Sequence, residues 1–249
     1  MELVLVMEKP NLSIVMSGHM RSFRLTAPSF LELVKQLNQK YNCSLFIHTW
    51  DISDSNTATY YNKPETFQPE KIDEKTIREI YSPTKVLVEK QELLNDSLIL
   101  HKQSLGGILS AEYSRFKSNE LIDRPSDYTL CLRPDVYFYN SAFTDICLNK
   151  LTLCAVGHNK AASDVVYFAP TPLMNKVRQY FFSHQDYLRK MSLGNNEMYF
   201  LQYLKDNNIE YDYSDYSMPK DWKIIRSWWT SVDQYDSGYD RPTWDRHYG

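Results

Sequence analysis

Short apolar runs alternate along the chain with longer segments in which apolar residues recur every three or four positions. The short runs predict β-strands at residues 12–16, 44–48, 85–89, 128–132, 136–138, 151–156, 164–168 and 209–211. The helical spacing predicts helices at about 27–37, 73–81, 105–122, 172–188 and 196–206. Pro28 is expected in the first turn of the first helix, where a proline costs little. This order of elements predicts an α/β sandwich with a central, mostly parallel sheet.

The sequence predicts a single domain over residues 1–249, with a core at about 11–210, because no linker or repeat divides it. Residues 52–68 lack periodicity and predict a long functional or mobile loop. The C-terminal segment, about 211–249, contains ten aromatic residues: Tyr211, Tyr213, Tyr216, Trp222, Trp228, Trp229, Tyr235, Tyr239, Trp244 and Tyr248. We expect this segment either to complete the core or to form a lid that offers aromatic faces to a sugar or base.

Composition narrows the class of protein. The chain holds 28 Lys and Arg against 31 Asp and Glu without a block of like charges, so nucleic-acid binding is not expected. Cys43, Cys131, Cys147 and Cys154 form no metal-binding pattern and are predicted to be reduced. The apolar start at residues 1–7 is too short for a signal peptide or membrane helix. We therefore expect a cytoplasmic protein, with a composition that also allows peripheral association with the inner face of the membrane.

Several common motifs are missing from the sequence. It contains no P-loop, no dinucleotide-binding glycine motif, no nucleophile elbow and no zinc-protease motif. Polar and charged residues instead cluster at the ends of the predicted strands: Ser17, Gly18, His19, Arg21, His48, Asp51, Arg133, Asp135 and Asp164. Open α/β sheets bind ligands at the edge where these strands end.

Four short motifs, with a predicted helix at residues 110–121 between the second and the third, occur in a defined order over most of residues 12–210. They are Ser17-Gly18-x-x-Arg21, Phe46-Ile47-His48-Thr49-Trp50, Arg133-Pro134-Asp135 and Asn196-Glu197. Their order resembles that of bacterial surface-polysaccharide glycosyltransferases of the lipopolysaccharide, O-antigen or capsule type. The resemblance implies a Rossmann-like fold of the GT-A type, a nucleotide-sugar donor, and a glycan or lipid-linked glycan acceptor. It also implies Mn²⁺ or Mg²⁺ bound by an acidic motif.

By this resemblance, Ser17, Gly18 and Arg21 lie beside the nucleotide diphosphate. Glycine lets the backbone approach a phosphate closely, and a guanidinium group binds two phosphate oxygens at once. The alternative interpretation is a tight turn followed by a solvated arginine.

Asp135 is the residue that the resemblance assigns to the metal, and here the sequence departs from the acidic pattern. A D-x-D motif offers two carboxylates to a cation that bridges diphosphate oxygens, whereas the first position here is Arg133. Both residues are expected at the nucleotide-sugar site. Either Asp135 holds the metal with help from His247 or Asp245, or Arg133 supplies the positive charge and the metal is dispensable. A third interpretation is an Arg133–Asp135 ion pair that only caps a strand.

Sugar transfer with inversion also needs a carboxylate that deprotonates the acceptor hydroxyl. We expect Glu197 to be this base and Asp164 to contact sugar hydroxyls, although Glu197 would also suit the N-terminus of a helix. Asp51 is expected to bind the ribose or base of the nucleotide. His48 and Trp50 are interpreted as structural residues.

The C-terminal segment offers basic residues that could close over a diphosphate: Lys220, Lys223, Arg226, Arg241, Arg246 and His247. The predicted activity is hexosyltransferase-like transfer of a sugar from a nucleotide-diphosphate sugar to a hydroxyl group. A sugar-nucleotide or sugar-phosphate transferase and a non-catalytic carbohydrate-binding domain are the alternatives.

Overall fold

The computed structural model describes residues 8–54, 67–91, 105–139, 149–156, 165–190, 196–218, 220–226 and 229–234. The strands in these ranges are β1 (Asn11–Ser17), β2 (Asn42–Trp50), β3 (Lys85–Glu89), β4 (Tyr128–Leu132), β5 (Val136–Phe138), β6 (Leu151–Val156), β7 (Val166–Pro170), β8 (Tyr211–Met218) and β9 (Trp222–Ile224). The helices are α1 (Phe23–Lys40), α2 (Glu74–Tyr81), α3 (Leu105–Glu120), α4 (Thr171–Val177), α5 (Tyr180–Lys190) and α6 (Asn196–Asp206).

Seven of these strands form one sheet, in the order β3-β2-β1-β4-β7-β6-β8. The first four are parallel, β7 is antiparallel to both of its neighbours, and β8 is parallel to β6. Six of the seven strands therefore point in one direction and β7 is reversed. The predicted α/β sandwich with a mostly parallel central sheet is confirmed.

Consecutive strand residues supply two cores, one on each face of the sheet. On the first face, Ile14 of β1 and Leu130 of β4 pack with α1, α2 and β5. On the second face, the next residues, Val15 and Cys131, pack with α4, α5 and α6. α3 also lies on this second face, where it contacts β1, β2 and α5. A sheet covered on both faces explains why its strands read as continuous apolar runs.

The first helix begins one turn earlier than predicted. It starts at Phe23 rather than at Ala27, and Pro28 lies inside it. The carbonyl of Ser22 accepts a hydrogen bond from Thr26 N–H, and Phe23 is buried in the first core, so the chain is already helical before the proline. Pro28 removes one backbone hydrogen bond, which a long helix tolerates near its N-terminus.

The helix predicted at residues 172–188 is two helices, α4 and α5, with a break after Val177. At the break, Gln179 N–H donates to the carbonyl of Lys176, three residues back instead of four. This tighter turn changes the helix direction while Val177 and Tyr180, on either side of it, both stay in the second core.

The described part of the C-terminal segment belongs to the folded body. β8 is an edge strand of the main sheet, and β9 pairs with β5 in a separate two-stranded sheet. Tyr216 and Trp222 are buried in the first core. These two aromatic side chains therefore complete the core, which is the first of the two expectations for this segment.

Two expectations from composition concern cysteines and membrane helices. Cys43, Cys131 and Cys154 are free thiols, and Cys147 lies outside the described residues. Within the described part of the chain, no helix combines the length and the hydrophobicity needed to cross a membrane.

A substitution at Phe168 tests the packing of β7. This side chain is fully buried and stacks on Tyr128, with ring centroids 5.5 Å apart. We expect Phe168→Ala to lower the free energy of unfolding by about 3–5 kcal/mol, because the cavity adds to the lost apolar burial. Urea denaturation measures the change. Leu31→Ala, at a position of α1 that is 41% exposed, is the control and should cost under about 1 kcal/mol. Equal losses in the two variants would contradict the described packing.

Candidate functional site

The carboxyl ends of β1, β2, β3 and β4 lie side by side, because these strands are parallel neighbours. The turn after β1, the residues after β2 and the Arg133-Pro134-Asp135 tripeptide after β4 therefore meet at one edge of the sheet. Ligands bind at this edge in open α/β sheets. The candidate site lies here.

Arg21, Asp54, Arg133 and Asp135 form a network of ion pairs at this edge, which we call the arginine–carboxylate cluster. Arg133 binds Asp135 through two hydrogen bonds, from Nε to Oδ1 at 2.9 Å and from Nη2 to Oδ2 at 2.5 Å. Arg21 Nε donates to Asp54 Oδ1 at 3.1 Å, and Arg21 Nη1 lies 3.5 Å from Asp135 Oδ2. Arg21 thus bridges the two carboxylates.

The acids and the bases of the cluster differ in exposure. The side chains of Asp54 and Asp135 are 1% and 2% exposed, whereas those of Arg21 and Arg133 are 20% and 22% exposed. The carboxylates therefore lie beneath the guanidinium groups.

The pKa of Asp135 is lowered below its usual range. Burial opposes ionisation, but the charges of Arg133, Arg21 and Arg226 and the hydrogen bonds from Arg133 outweigh it. Ile225 N–H donates to the backbone oxygen of Asp135 at 2.8 Å, which brings the segment after β9 to the cluster. The positive charge of Arg226, one residue further along this segment, also contributes to the lowered pKa of Asp135.

The turn after β1 joins the cluster to the sheet. Gly18 has a φ of 110°, which favours glycine, and a Cβ built on it would meet no atom within 4 Å. Its N–H donates to Ser114 Oγ of α3 at 2.8 Å. At the other end of the turn, Ser22 Oγ donates to the carbonyl of Ile225 at 2.8 Å. The turn that carries Arg21 is therefore anchored at both ends.

Aromatic and imidazole rings support this edge from the second face. Trp50 of β2 stacks on Tyr113 of α3, with centroids 5.7 Å apart and 22° between the ring planes. The ring of His48 meets Trp50 edge-on at 5.2 Å. Burial lowers the pKa of His48, against the opposing effect of Glu89. This packing agrees with a structural interpretation of His48 and Trp50.

Most of the predicted nucleotide-sugar residues lie together at the sheet edge. They converge because β1 and β4 are parallel neighbours and most of these residues follow the carboxyl ends of the two strands. Those brought together by the described contacts are Arg21, Arg133 and Asp135, with Gly18 in the same turn as Arg21. Ser17, the last residue of β1, is buried next to Gly18.

Asp51 has a contact of its own at this edge. Its Oδ1 accepts a hydrogen bond from Gln91 N–H at 3.0 Å, so it ties the end of β2 to the residues after β3. Its predicted role in binding ribose or base stays a prediction.

Of the two predicted catalytic residues, Glu197 is among the described residues. Glu197 lies in the first turn of α6, beside Asn196, whose side chain donates to Glu112 of α3 at 2.9 Å. Its role as the base stays a prediction. Asp164 and the predicted metal ligand His247 lie outside the described residues.

The described residues do not fit a divalent cation at Asp135. No group of three or more His, Cys, Asp or Glu side chains suited to a metal occurs in the described ranges. Arg133 donates to both carboxylate oxygens of Asp135, and Arg21 lies close to one of them. A hard cation needs such oxygens as ligands and is repelled by neighbouring guanidinium groups.

Sequence analysis missed three residues that build the site. Asp54 falls in the segment predicted as a loop, and a second acidic residue three positions after Asp51 was the available signal. Ser114 and Glu89 gave no signal, because they act through side-chain contacts with residues 96 and 41 positions away.

No protein-family model matches the chain, and no curated protein matches its sequence. Among solved structures, a glycosyltransferase involved in glycosylation of the major capsid of PBCV-1 is 14% identical, with a TM-score of 0.43 over 83% of this chain and 82% of that one. The glycosyltransferase GlyE of Streptococcus pneumoniae TIGR4 is 10% identical, with a TM-score of 0.42 over 84% and 46%. An active-site mutant of LgtC is 13% identical, with a TM-score of 0.43 over 82% and 72%. At TM-scores below 0.5, these likenesses do not assign a function.

Asp135→Asn removes a buried charge while keeping the shape of the side chain. We expect the free energy of unfolding to fall by about 3 kcal/mol, because Arg133 and Arg21 lose the carboxylate that compensates them. Asp123→Asn is the control, since Asp123 pairs with Lys85 at 2.7 Å with both side chains well exposed, and should cost under about 1 kcal/mol. Chemical denaturation of both variants measures the difference, and equal losses would contradict a buried structural role for the Asp135 charge.

Acid should destabilise the protein in part through His19, whose Nε2 lies 2.8 Å from Gln91 Oε1. Burial and the nearby charge of Arg21 lower the pKa of His19 from 6.5 to about 4. The unfolded chain therefore binds this proton more readily, and the stability due to neutral His19 is lost as the pH falls from 6.5 towards about 4. We expect His19→Gln to flatten the pH dependence of the unfolding free energy in this window. Parallel curves for the two proteins would rule out the lowered pKa.

Proposed function

We propose that the chain is a nucleotide-sugar-dependent glycosyltransferase of the GT-A type. It transfers a hexose-like sugar from a nucleotide-diphosphate donor to a hydroxyl group of a glycan or glycolipid, in the synthesis of a surface polysaccharide such as lipopolysaccharide. The supporting observation is the pair of partly exposed guanidinium groups, Arg21 and Arg133, backed by buried carboxylates at the carboxyl edge of the sheet. The strand-end motifs that resemble surface-polysaccharide glycosyltransferases support it as well.

Two guanidinium groups in this setting suit a diphosphate. Each presents several N–H groups in one plane and can bind phosphate oxygens in pairs. Asp54 and Asp135 hold the two arginines in position before a ligand arrives, so less side-chain entropy is lost on binding. The open space beside Gly18 leaves room for a phosphate next to the turn.

In the proposed reaction, the acceptor oxygen attacks the anomeric carbon and forms the new glycosidic bond. The bond from that carbon to the diphosphate oxygen breaks, and its electron pair leaves with the nucleotide diphosphate. Arg21 and Arg133 stabilise the negative charge that develops there. The hydroxyl proton passes to a carboxylate, for which we propose Glu197, while Asp164 is proposed to contact sugar hydroxyls.

The positive charge at the leaving group is proposed to come from arginine side chains. The other mechanism, with Mn²⁺ or Mg²⁺ on Asp135 and His247, needs carboxylate oxygens that already accept hydrogen bonds from Arg133. The charge of Arg226 helps to lower the pKa of Asp135. The segment after β9 therefore adds to the positive electrostatic potential around this carboxylate.

We propose a cytoplasmic location at the inner face of the membrane, because the acceptor proposed is a glycan carried on a lipid. Co-sedimentation of the protein with vesicles made from bacterial lipids tests this location. Protein that stays entirely in the supernatant at low salt would exclude direct membrane association.

The function is tested by a thermal-shift screen of the purified protein against UDP, GDP, CDP and CMP, each with Mn²⁺, Mg²⁺ or EDTA. We expect one nucleoside diphosphate to raise the Tm in EDTA as well, since a ligand at a hundred times its Kd stabilises by about 2.7 kcal/mol. A shift that requires a metal would favour the metal mechanism. No shift with any nucleotide would overturn the donor assignment and favour a carbohydrate-binding domain.

The same assay tests the two arginines through Arg21→Lys and Arg133→Lys, which keep the charge but lose the planar set of donors. Each should weaken binding of the nucleoside diphosphate by about 10–100-fold, because a hydrogen bond to a charged group contributes about 1.5–3 kcal/mol. Arg24→Lys is the matched control: its side chain is 59% exposed and pairs with Glu70, and affinity should stay unchanged. An equal loss in the control would remove Arg21 and Arg133 from the binding site.

A further inference from the structure

A buried chain of hydrogen bonds lies behind the site and connects three elements. His48 of β2 and Ser114 of α3 are both fully buried. His48 Nε2 lies 2.7 Å from Oε2 of Glu89, the last residue of β3, and His48 Nδ1 lies 2.8 Å from Ser114 Oγ. Ser114 Oγ in turn accepts the hydrogen bond from Gly18 N–H at 2.8 Å. We call Glu89, whose side chain is 32% exposed, His48 and Ser114 the Ser–His–Glu triad.

Donor and acceptor rules assign the protons of the triad. Gly18 N–H uses one lone pair of Ser114 Oγ, so the hydroxyl hydrogen points to another acceptor. His48 Nδ1 at 2.8 Å is closer than the His48 carbonyl oxygen at 3.3 Å. A carboxylate only accepts, so the Nε2 that faces Glu89 carries the ring proton. Both conditions describe the same neutral tautomer, and the burial that lowers the pKa of His48 favours a neutral ring.

The arrangement of serine, histidine and glutamate resembles a hydrolytic triad in its bonding but not in its placement. A nucleophilic serine must reach a substrate, whereas Ser114 is fully buried and its oxygen is engaged with Gly18. The chain of bonds ends on a backbone N–H at the candidate site. Its effect must therefore be on the position of that backbone.

We propose that the Ser–His–Glu triad is a positioning device that fixes Gly18 and thereby holds Arg21 in place for anion binding. The inference rests on the proposed function, in which Arg21 binds a diphosphate. The turn is anchored at Gly18 by Ser114 and at Ser22 by the carbonyl of Ile225. Release of the first anchor leaves the charge of Arg21 unchanged but frees the turn that orients its guanidinium group.

Ser114→Ala removes the acceptor of the Gly18 N–H and is the test variant. Ser118→Ala is the matched control, because Ser118 is also fully buried on α3, one turn further along. Its hydroxyl donates to the carbonyl of Arg115 at 2.9 Å, within the same helix, and not to the turn after β1. The two variants therefore lose the same atom from the same helix.

Three measurements on each variant test the proposal. We expect Ser114→Ala to speed hydrogen exchange of the Gly18 amide and to shift the NMR signal of the Arg21 Nε–H. We also expect it to weaken binding of inorganic pyrophosphate by up to about tenfold, since one hydrogen bond contributes about 0.5–1.5 kcal/mol. Ser118→Ala should leave all three unchanged. In the wild-type protein, nitrogen NMR of His48 should show the proton on Nε2.

The outcomes separate this proposal from the proposed function. Unchanged Gly18 exchange and an unchanged Arg21 signal in Ser114→Ala would overturn the positioning role. Equal loss of pyrophosphate affinity in both variants would also overturn it, because the effect would then be a general loss of packing. If Ser114→Ala does not fold, a His48 proton on Nδ1 in the wild type would be sufficient to overturn it. If the amide and Arg21 signals respond but the wild type binds neither pyrophosphate nor any nucleotide, the positioning role is supported and the proposed function fails.

Discussion

The pairing of one buried carboxylate, Asp135, is the interaction on which the arrangement of the site depends. An unpaired buried charge costs several kcal/mol, so a side chain that is 2% exposed must keep its partners. Its ion-pair partners are Arg21 from the turn after β1 and Arg133 from the end of β4, and Ile225 N–H from the segment after β9 donates to its backbone oxygen. Burial of an ionised Asp135 therefore requires the turn after β1 and the end of β4 to be in place together. The same pairing leaves guanidinium groups at the surface.

The site is organised in two layers because each face of the sheet contributes a different kind of support. On the first face, the segment after β9 donates a hydrogen bond to the backbone oxygen of Asp135 and accepts one from Ser22 at the far end of the turn. On the second face, α3 supplies Ser114, and the rings of Trp50 and Tyr113 stack across the junction with β2. Buried carboxylates of Asp54 and Asp135 accept hydrogen bonds from the arginines, and Ser114 accepts one from the backbone of the turn. The guanidinium groups are more exposed than these acceptors. Sites that are fixed in this way before a ligand arrives lose less free energy on binding.

The spacing of hydrophobic residues predicted much of the fold. Both faces of the sheet are covered, so its strands appear in the sequence as apolar runs and the covering helices as apolar residues every three or four positions. Strands β3, β4, β5 and β6 lie at the predicted residues. The start of α1 was predicted too late. A proline is a strong sequence signal for the start of a helix, whereas the hydrogen bonds that begin this helix leave no signal in the sequence. Arg133 and Asp135 were predictable because strand ends of parallel neighbours converge. Ser114 was not, because its partner Gly18 lies 96 positions away and only folding brings them together, and Asp54 was indicated only by its position three residues after Asp51.

The hydrogen bond from Ser22 to Ile225 joins residues 203 positions apart. Synthesis proceeds from the N-terminus, and segments of a domain emerge and begin to fold in that order. The first four parallel strands are therefore made long before the residues that anchor the turn after β1 from the other side. The turn after β1 gains this second anchor only once residue 225 has been made, so a chain that stops before it contains the four parallel strands without the bond that fixes Ser22.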